Sequence, residues 1–419
     1  MTSIGPDAPP LASPAPDSPI AFRHRNYALF WFARLASTFA IQIVSVAVGW
    51  QVYDITRDPW DLGLVGLFQF LPAIALVLLT GPASDRFSRR WIMTICAGIE
   101  ALCALTLVVL TFEQNRDVRL IFAVLFVFGV ARAFYAPASW AIVPTLIPQV
   151  ALPNAIAWNA SSWQFASIMG PVAGGLLYGL GPSVAYGVAA AMALISAALT
   201  VALTSTQARQ TLERNWTTLV AGFRYVFSEK VVLGAISLDL FAVLLGGAVA
   251  LMPAVARDVL HLGPWGLGLM RAAPGIGAIA VAGLLSVRPI RDRAGHIMFL
   301  CVGLFGLATA VFGLSTTTWL SIAALVVMGG ADMVSVTIRE TLMQLWTPDE
   351  VRGRVNAVNM MFIGASNELG EFRAGSMAAF IGVMPAIVVG GVGAMAVAGI
   401  WAWAFPGLRT TRRLESREG

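Results

Sequence analysis

Charge is scarce in this chain: 12% of its 419 residues are Asp, Glu, Lys or Arg, against 58% that are hydrophobic. Soluble domains carry about 25% charged residues, so a normally solvated surface is excluded. Cysteine and histidine are scarcer still. Cys96, Cys103 and Cys301 all lie inside apolar stretches, which leaves no disulfide framework and no metal cluster. His24, His261 and His296 fall at or near the ends of apolar runs, so a Ser–His pair or a histidine metal site cannot assemble within them. There is no G-x-x-x-x-G-K-[ST] loop, which removes ATP as an energy source. No basic segment followed by an apolar core opens the chain, so no signal peptide is expected. Instead residues 1–22 are polar and hold Pro6, Pro9, Pro10, Pro14, Pro16 and Pro19, as expected of a disordered tail.

What is abundant is long apolar sequence. Runs of 18 or more such residues recur, each enough to cross a hydrocarbon core of roughly 30 Å. Breaks at charged, Pro and Gly positions divide the chain into twelve spans near 28–53, 62–80, 91–112, 119–136, 155–179, 183–204, 231–255, 265–287, 295–314, 318–338, 355–381 and 384–405. Pro144, Pro148 and Pro153 mark the loop after the fourth. The pI of about 9.5 comes from arginines spread through short loops, which fits topology and not nucleic acid. With both termini inside, nineteen of the 27 Lys and Arg, Arg339 among them, fall in cytoplasmic loops and tails, and only Arg57, Arg116, Arg119 and Arg257 fall outside. That asymmetry obeys the positive-inside rule.

The two halves are copies. Gly66, Leu67, Pro72, Ile74, Gly81, Arg86 and Arg89 recur 202 residues later as Gly268, Leu269, Pro274, Ile276, Gly283, Arg288 and Arg291. Asn154-Ala155 returns as Asn356-Ala357 at the same offset. A duplicated membrane unit is the architecture of secondary transporters, with the substrate site between the repeats. The expected organisation is a tail (1–22), a six-helix bundle (23–204), a cytoplasmic linker with an amphipathic helix (205–230), a second bundle (231–408) and a closing tail (409–419).

Between spans two and three lies Gly81-Pro-Ala-Ser-Asp85-Arg86-Phe-Ser-Arg89-Arg90. This loop resembles the G-x-x-x-D-R-x-x-R-R signature of the major facilitator superfamily. The resemblance implies an all-α membrane protein of twelve transmembrane helices in two six-helix pseudo-repeats, with Gly81, Asp85, Arg86, Arg89 and Arg90 forming a cytoplasmic gate. It also implies that the aspartate meets the start of helix eleven, and that helices one, four, seven and ten line the cavity. In the second half Val287 replaces the acid, so the halves are expected to gate asymmetrically. Gly170-Pro171-Val-Ala-Gly174-Gly175 in span five resembles an element of antiporter-type members, and packing alone also explains its small residues. Arg132-Ala-Phe-Tyr-Ala-Pro137 and Asn154-Ala155 resemble a subgroup containing enterobactin and macrolide exporters.

Ionisable groups within membrane spans cost about 2.5–3.5 kcal/mol each, so they default to function. The acids are Glu100, Asp239, Asp332, Glu368 and Glu371, all candidates for proton coupling; the arginines are Arg34, Arg132, Arg271 and Arg373, candidates for the cavity or for ion pairs. Glu100 and Arg132 lie at matching depths, roughly 14 Å and 20 Å from opposite faces, which makes a pair geometrically possible. Asp332 falls nearer the cytoplasmic rim. Glu368 and Glu371, three apart, share a helix face, and two such carboxylates in low dielectric cannot both ionise cheaply. Trp50, Phe134, Trp140 and Phe241 offer stacking surfaces to an organic ligand.

The expected function is proton-coupled efflux of an amphipathic organic molecule by alternating access; proton-coupled uptake and uncoupled facilitation are the alternatives within the fold. A membrane enzyme is not expected, since the histidines fall at or near span ends, nor a sensor, since neither tail is long enough for an output domain. The expected partners are a small-molecule substrate, protons and the lipid bilayer, with no nucleic acid and no cofactor, the chain being a monomer in the cell membrane.

Overall fold

A computed structural model describes residues 19–204, 223–290 and 292–411. Twelve long helices follow in order. The first half holds α1 (Arg25–Thr56), α2 (Pro59–Arg86), α3 (Arg89–Phe112), α4 (Val118–Leu146), α5 (Leu152–Leu180) and α6 (Pro182–Val201). The second holds α7 (Lys230–Gly246), α8 (Pro264–Val287), α9 (Ala294–Leu314), α10 (Thr318–Trp346), α11 (Asp349–Ile381) and α12 (Val383–Ala404). Ten spans are long and apolar enough to cross a membrane. The remaining helices, α5 and α11, are as long, at 29 and 33 residues, but more polar. Both helices contribute to the seams between the halves, α5 against α8 and α11 against α2.

Local chemistry sets the ends. Asp58 caps α2 by accepting from the Trp60 N–H at 2.9 Å, with Pro59 at the first helical position. Asp117 caps α4 in the same way through the Arg119 N–H at 3.0 Å. Single glycines turn the chain between α5 and α6 and between α11 and α12: Gly181 has φ 148° and Gly382 φ 92°, which side chains with a Cβ rarely adopt. The repeat therefore extends to its hairpins. Several boundaries differ from expectation: α2 runs on to Arg86, so that Asp85 and Arg86 lie inside it, and α11 begins as early as Asp349. α4 continues through Pro137 and Pro144 to Leu146, so the loop begins only at Ile147. α10 runs on to Trp346, which puts Asp332 in mid-helix and not near the rim.

The seventh span is not one helix. α7 stops at Gly246, and the chain resumes after Gly247 as a short 3-10 turn (Val249–Leu251), a turn of α-helix (Met252–Ala254) and a π-helical turn (Val255–Val259). Broken spans survive in lipid only where protein satisfies the freed carbonyls. Residues 223–228, the described end of the linker, are helical, with Val226 buried against Met343 and Val358. The rest of the linker and the tails at 1–18 and 412–419 lie outside the described residues.

Within each half the packing repeats. α3 lies on α6 as α9 lies on α12, and α2 lies on α4 as α8 lies on α10. Across the halves α2 meets α11 and α5 meets α8. One apolar core spans both halves at the end bearing the α1–α2 loop, called here the far end; Val44, Val48 and Val52 join Leu251, Val255 and Met270 there. At the opposite, terminal end the cores are separate, one around Tyr27, Phe30 and Ile142, another around Leu238, Met298 and Ile338. The halves thus join at the far end and part toward the termini.

Candidate functional site

α11 crosses beside α2 because glycines allow it. A Cβ built on Gly375 would lie 2.6 Å from the Gly63 Cα, so the backbones touch. One turn away, a Cβ on Gly66 would lie 3.0 Å from Glu371 Oε2 and 3.5 Å from Glu368 Oε2. Both carboxylates therefore converge on one point of the seam. Arg132 from α4 and Arg271 from α8 are the cations whose charges act on this acid pair. Neither forms an ion pair with it: Arg132 Nη1 donates to Gln69 Oε1 at 3.3 Å, and Arg271 Nη1 donates to Ser45 Oγ at 2.8 Å. Two acids on the α2–α11 seam thus lie within the fields of one arginine from each half.

Arg373 does something the sequence did not suggest. Its Nε donates to the Leu244 carbonyl at 2.9 Å and its Nη2 to the Leu245 carbonyl at 2.6 Å. These are among the last carbonyls of α7, left bare by the break. Arg373 is thus a clasp on the broken helix, two residues from Glu371 on α11. Asp239 is also engaged. It pairs with Arg339 of α10, a residue 2% exposed and inside a helix, not in a cytoplasmic loop as its place in the sequence suggested.

The remaining candidates disperse. Glu100 accepts from Ser37 Oγ at 3.2 Å and is not ion-paired with Arg132, because Arg132 turns to Gln69. Arg34 stacks its guanidinium 4.9 Å from the Trp140 ring centroid, while Phe241 packs on Trp401. Trp50 is buried under Arg257. Asp332 makes no ion pair among the described residues. Asp85 sits in the last turn of α2, and its side chain lies outside the described residues. Gly81 accepts from Ser84 Oγ at 2.8 Å, Arg86 is exposed, Arg89 reaches the Ala141 carbonyl of α4 at 2.8 Å, and Arg90 reaches the Val201 carbonyl of α6. The loop is thereby tied into the first bundle. In the α5 motif, Gly170 receives Gln42 and Gly174 receives Ile43 of α1, Pro171 offers its carbonyl to the Gly268 face of α8, and a Cβ on Gly175 would lie 3.0 Å from the Gly268 Cα. All four are packing residues.

At the far end the halves are pinned by charge. Arg57 Nη1 lies 3.2 Å from Asp258 Oδ1, Arg257 pairs with Asp54, and Tyr53 donates to Asp258. By sequence, Arg57 and Arg257 figure only as outside-loop charges that set topology. Their partners lie about half the chain away, and no local pattern pairs them.

Twelve helices in two copies form the major facilitator fold, and the family match and exporter relative that follow make the chain a membrane transporter, not an enzyme. Residues 16–416 match the transmembrane secretion effector family, and the chain belongs to it. It is similar to the enterobactin exporter EntS of Citrobacter koseri, at 26% identity over 379 residues covering 88% of this chain and 89% of the exporter. A bacterial homologue of the human lysosomal transporter Spinster, inward-facing and occupied, shares the fold with a TM-score of 0.72 at 14% identity, covering 92% of this chain and 98% of that one. A D-xylose–proton symporter shares it with a TM-score of 0.69, also at 14% identity and the same coverage.

Proposed function

We propose that this chain exports an amphipathic organic molecule from the cell in exchange for protons, with Glu368 and Glu371 as the carriers. Both termini are cytoplasmic in this reading, so the terminal-end opening faces the substrate. The observation that carries it is the convergence of both carboxylates on Gly66, with one arginine from each half nearby. An unprotonated pair beside Arg132 and Arg271 holds the cluster balanced; a bound proton leaves it cationic and alters the attraction between the halves. Substrate and proton then alternate without needing to meet. The exporter relatives make enterobactin the first probe, with a panel of amphipathic drugs beside it.

The test uses inside-out vesicles with an acidified lumen. Enterobactin or a drug from the panel is expected to accumulate, and the gradient to be consumed as it does. Glu368→Gln and Glu371→Gln mimic the protonated form, so at least one should keep counterflow exchange and lose gradient-driven accumulation. If both single variants and Asp239→Asn accumulate substrate like the parent chain, the acids of α11 are not the coupling groups.

A further inference from the structure

Glu100 is the most deeply buried acid outside the seam, at 0% exposure, and the cluster between the halves does not use it. Its Oε2 accepts from Ser37 Oγ at 3.2 Å, and its Oε1 has no hydrogen-bond partner. Three more buried polar atoms share that condition: Arg34 Nη1 on α1, the Tyr135 hydroxyl on α4 and Ser196 Oγ on α6. Tyr135 places them together, for its hydroxyl lies beside Ser196 and Ser37 and within the fields of Glu100 and Arg34. Buried polar atoms are nearly always partnered. Four orphans from four helices meeting at one place mark a built site.

We propose that the first bundle contains its own hydrated proton site, in which Glu100 binds a proton and an ordered water joins it to Tyr135, Ser196 and Arg34. An ordered buried water makes about three hydrogen bonds, which these atoms supply. A protonated Glu100 has one O–H to donate and keeps an oxygen to accept from Ser37. The titratable and charged groups that act on it are Arg132 and Tyr135 on α4 and Cys96 and Cys103 on α3 itself, with Arg34 of α1 beside Tyr135; the Tyr27 hydroxyl of α1 is turned to the Ala155 carbonyl and Asn159, and α6 carries no charged residue. Neither arginine reaches Glu100 as an ion pair, since Arg34 lies on Trp140 and Arg132 on Gln69. A bare buried carboxylate without a paired cation is costly, and a proton removes that cost. Every wall of the site, α1, α3, α4 and α6, belongs to one bundle. The proton therefore moves with the bundle, unlike one held between the halves on α11.

Infrared difference spectroscopy of the purified protein in lipid tests this without any substrate. In a Glu368→Gln/Glu371→Gln background a C=O band of a protonated carboxyl group is expected, lost on adding Glu100→Gln and shifted on exchange into D2O. Tyr135→Phe and Ser196→Ala should each move the band without abolishing it, and they serve if the Glu100 variant does not fold. A band that survives Glu100→Gln, or fails to shift in D2O, overturns the site. So does a band that neither hydroxyl variant moves. The outcome is independent of whether the α11 acids couple transport.

Discussion

Arg373 holds two carbonyls that the break in α7 would otherwise leave bare in an apolar setting. Hydrogen bonds to charged groups contribute about 1.5–3 kcal/mol each. Arg373→Gln is therefore expected to lower stability by about 2–3 kcal/mol, with Arg373→Lys recovering only part because a point charge cannot serve both carbonyls with Arg's fork. Chemical unfolding in detergent reads both, and equal midpoints for Gln and parent would remove the clasp. The Asp239–Arg339 pair behaves differently, since here both partners are charged. Removing one partner of a buried pair strands the other charge, at about 3–5 kcal/mol. Arg339→Leu should thus destabilise strongly, and adding Asp239→Asn should restore most of the loss. A double variant no better than the single one would show that the pair does not act as a unit.

Elements meet across the halves through glycine, and that makes the seams testable. A Cβ on Gly175 would strike the Pro264 carbonyl at 2.5 Å, and one on Gly375 the Pro59 carbonyl at 2.8 Å. Both contacts are with backbone, which cannot rotate aside. Gly175→Val or Gly375→Val should wedge α5 from α8 or α2 from α11 and favour conformers open at the far end. Thiol labelling of a cysteine at Ser45 should then speed several-fold; unchanged labelling in both variants would mean that the seams do not limit opening. Much of this architecture was legible. Apolar runs placed all twelve helices but missed several ends. α2 and α4 run on through Pro82 and Pro144, because proline near a helix end is tolerated when neighbouring helices cover the backbone. α10 and the start of α11 extend past the apolar stretch into more polar sequence. The break in α7 was not legible, since Gly246-Gly247-Ala248 reads as continuous apolar sequence and its remedy, Arg373, lies far along the chain. The paired spacing of Glu368 and Glu371 pointed correctly to one helix face. The choice of Arg132 and Arg271 as the facing cations required the fold.

At the scale of the whole molecule, what keeps the far end shut is a common core plus a small charged network. Arg57 and Asp258 are half exposed, at 51% and 43%, so each ion pair alone contributes about 0–1 kcal/mol. Joined through Tyr53 and by the Arg257–Asp54 pair, they would act, under the proposed alternating access, on one equilibrium between far-end-closed and far-end-open forms. A shift of about 1.4 kcal/mol changes that ratio tenfold. Asp54→Arg sets like charges against Arg257 and should populate the open form; Arg257→Asp added to it restores the pair with reversed polarity and should close it again. Salt should weaken the parent latch and leave a neutral Asp54→Asn/Arg257→Gln variant less affected, because exposed charges are screened within about 10 Å at 0.1 M. Spin labels at Arg116 and Thr316, in exposed far-end loops of the first and second halves, would report the distance between them. It should lengthen with Asp54→Arg and return with the swap. A distance that ignores both substitutions would assign closure to the shared core around Val48 and Leu251 alone, and the charges at this end to topology.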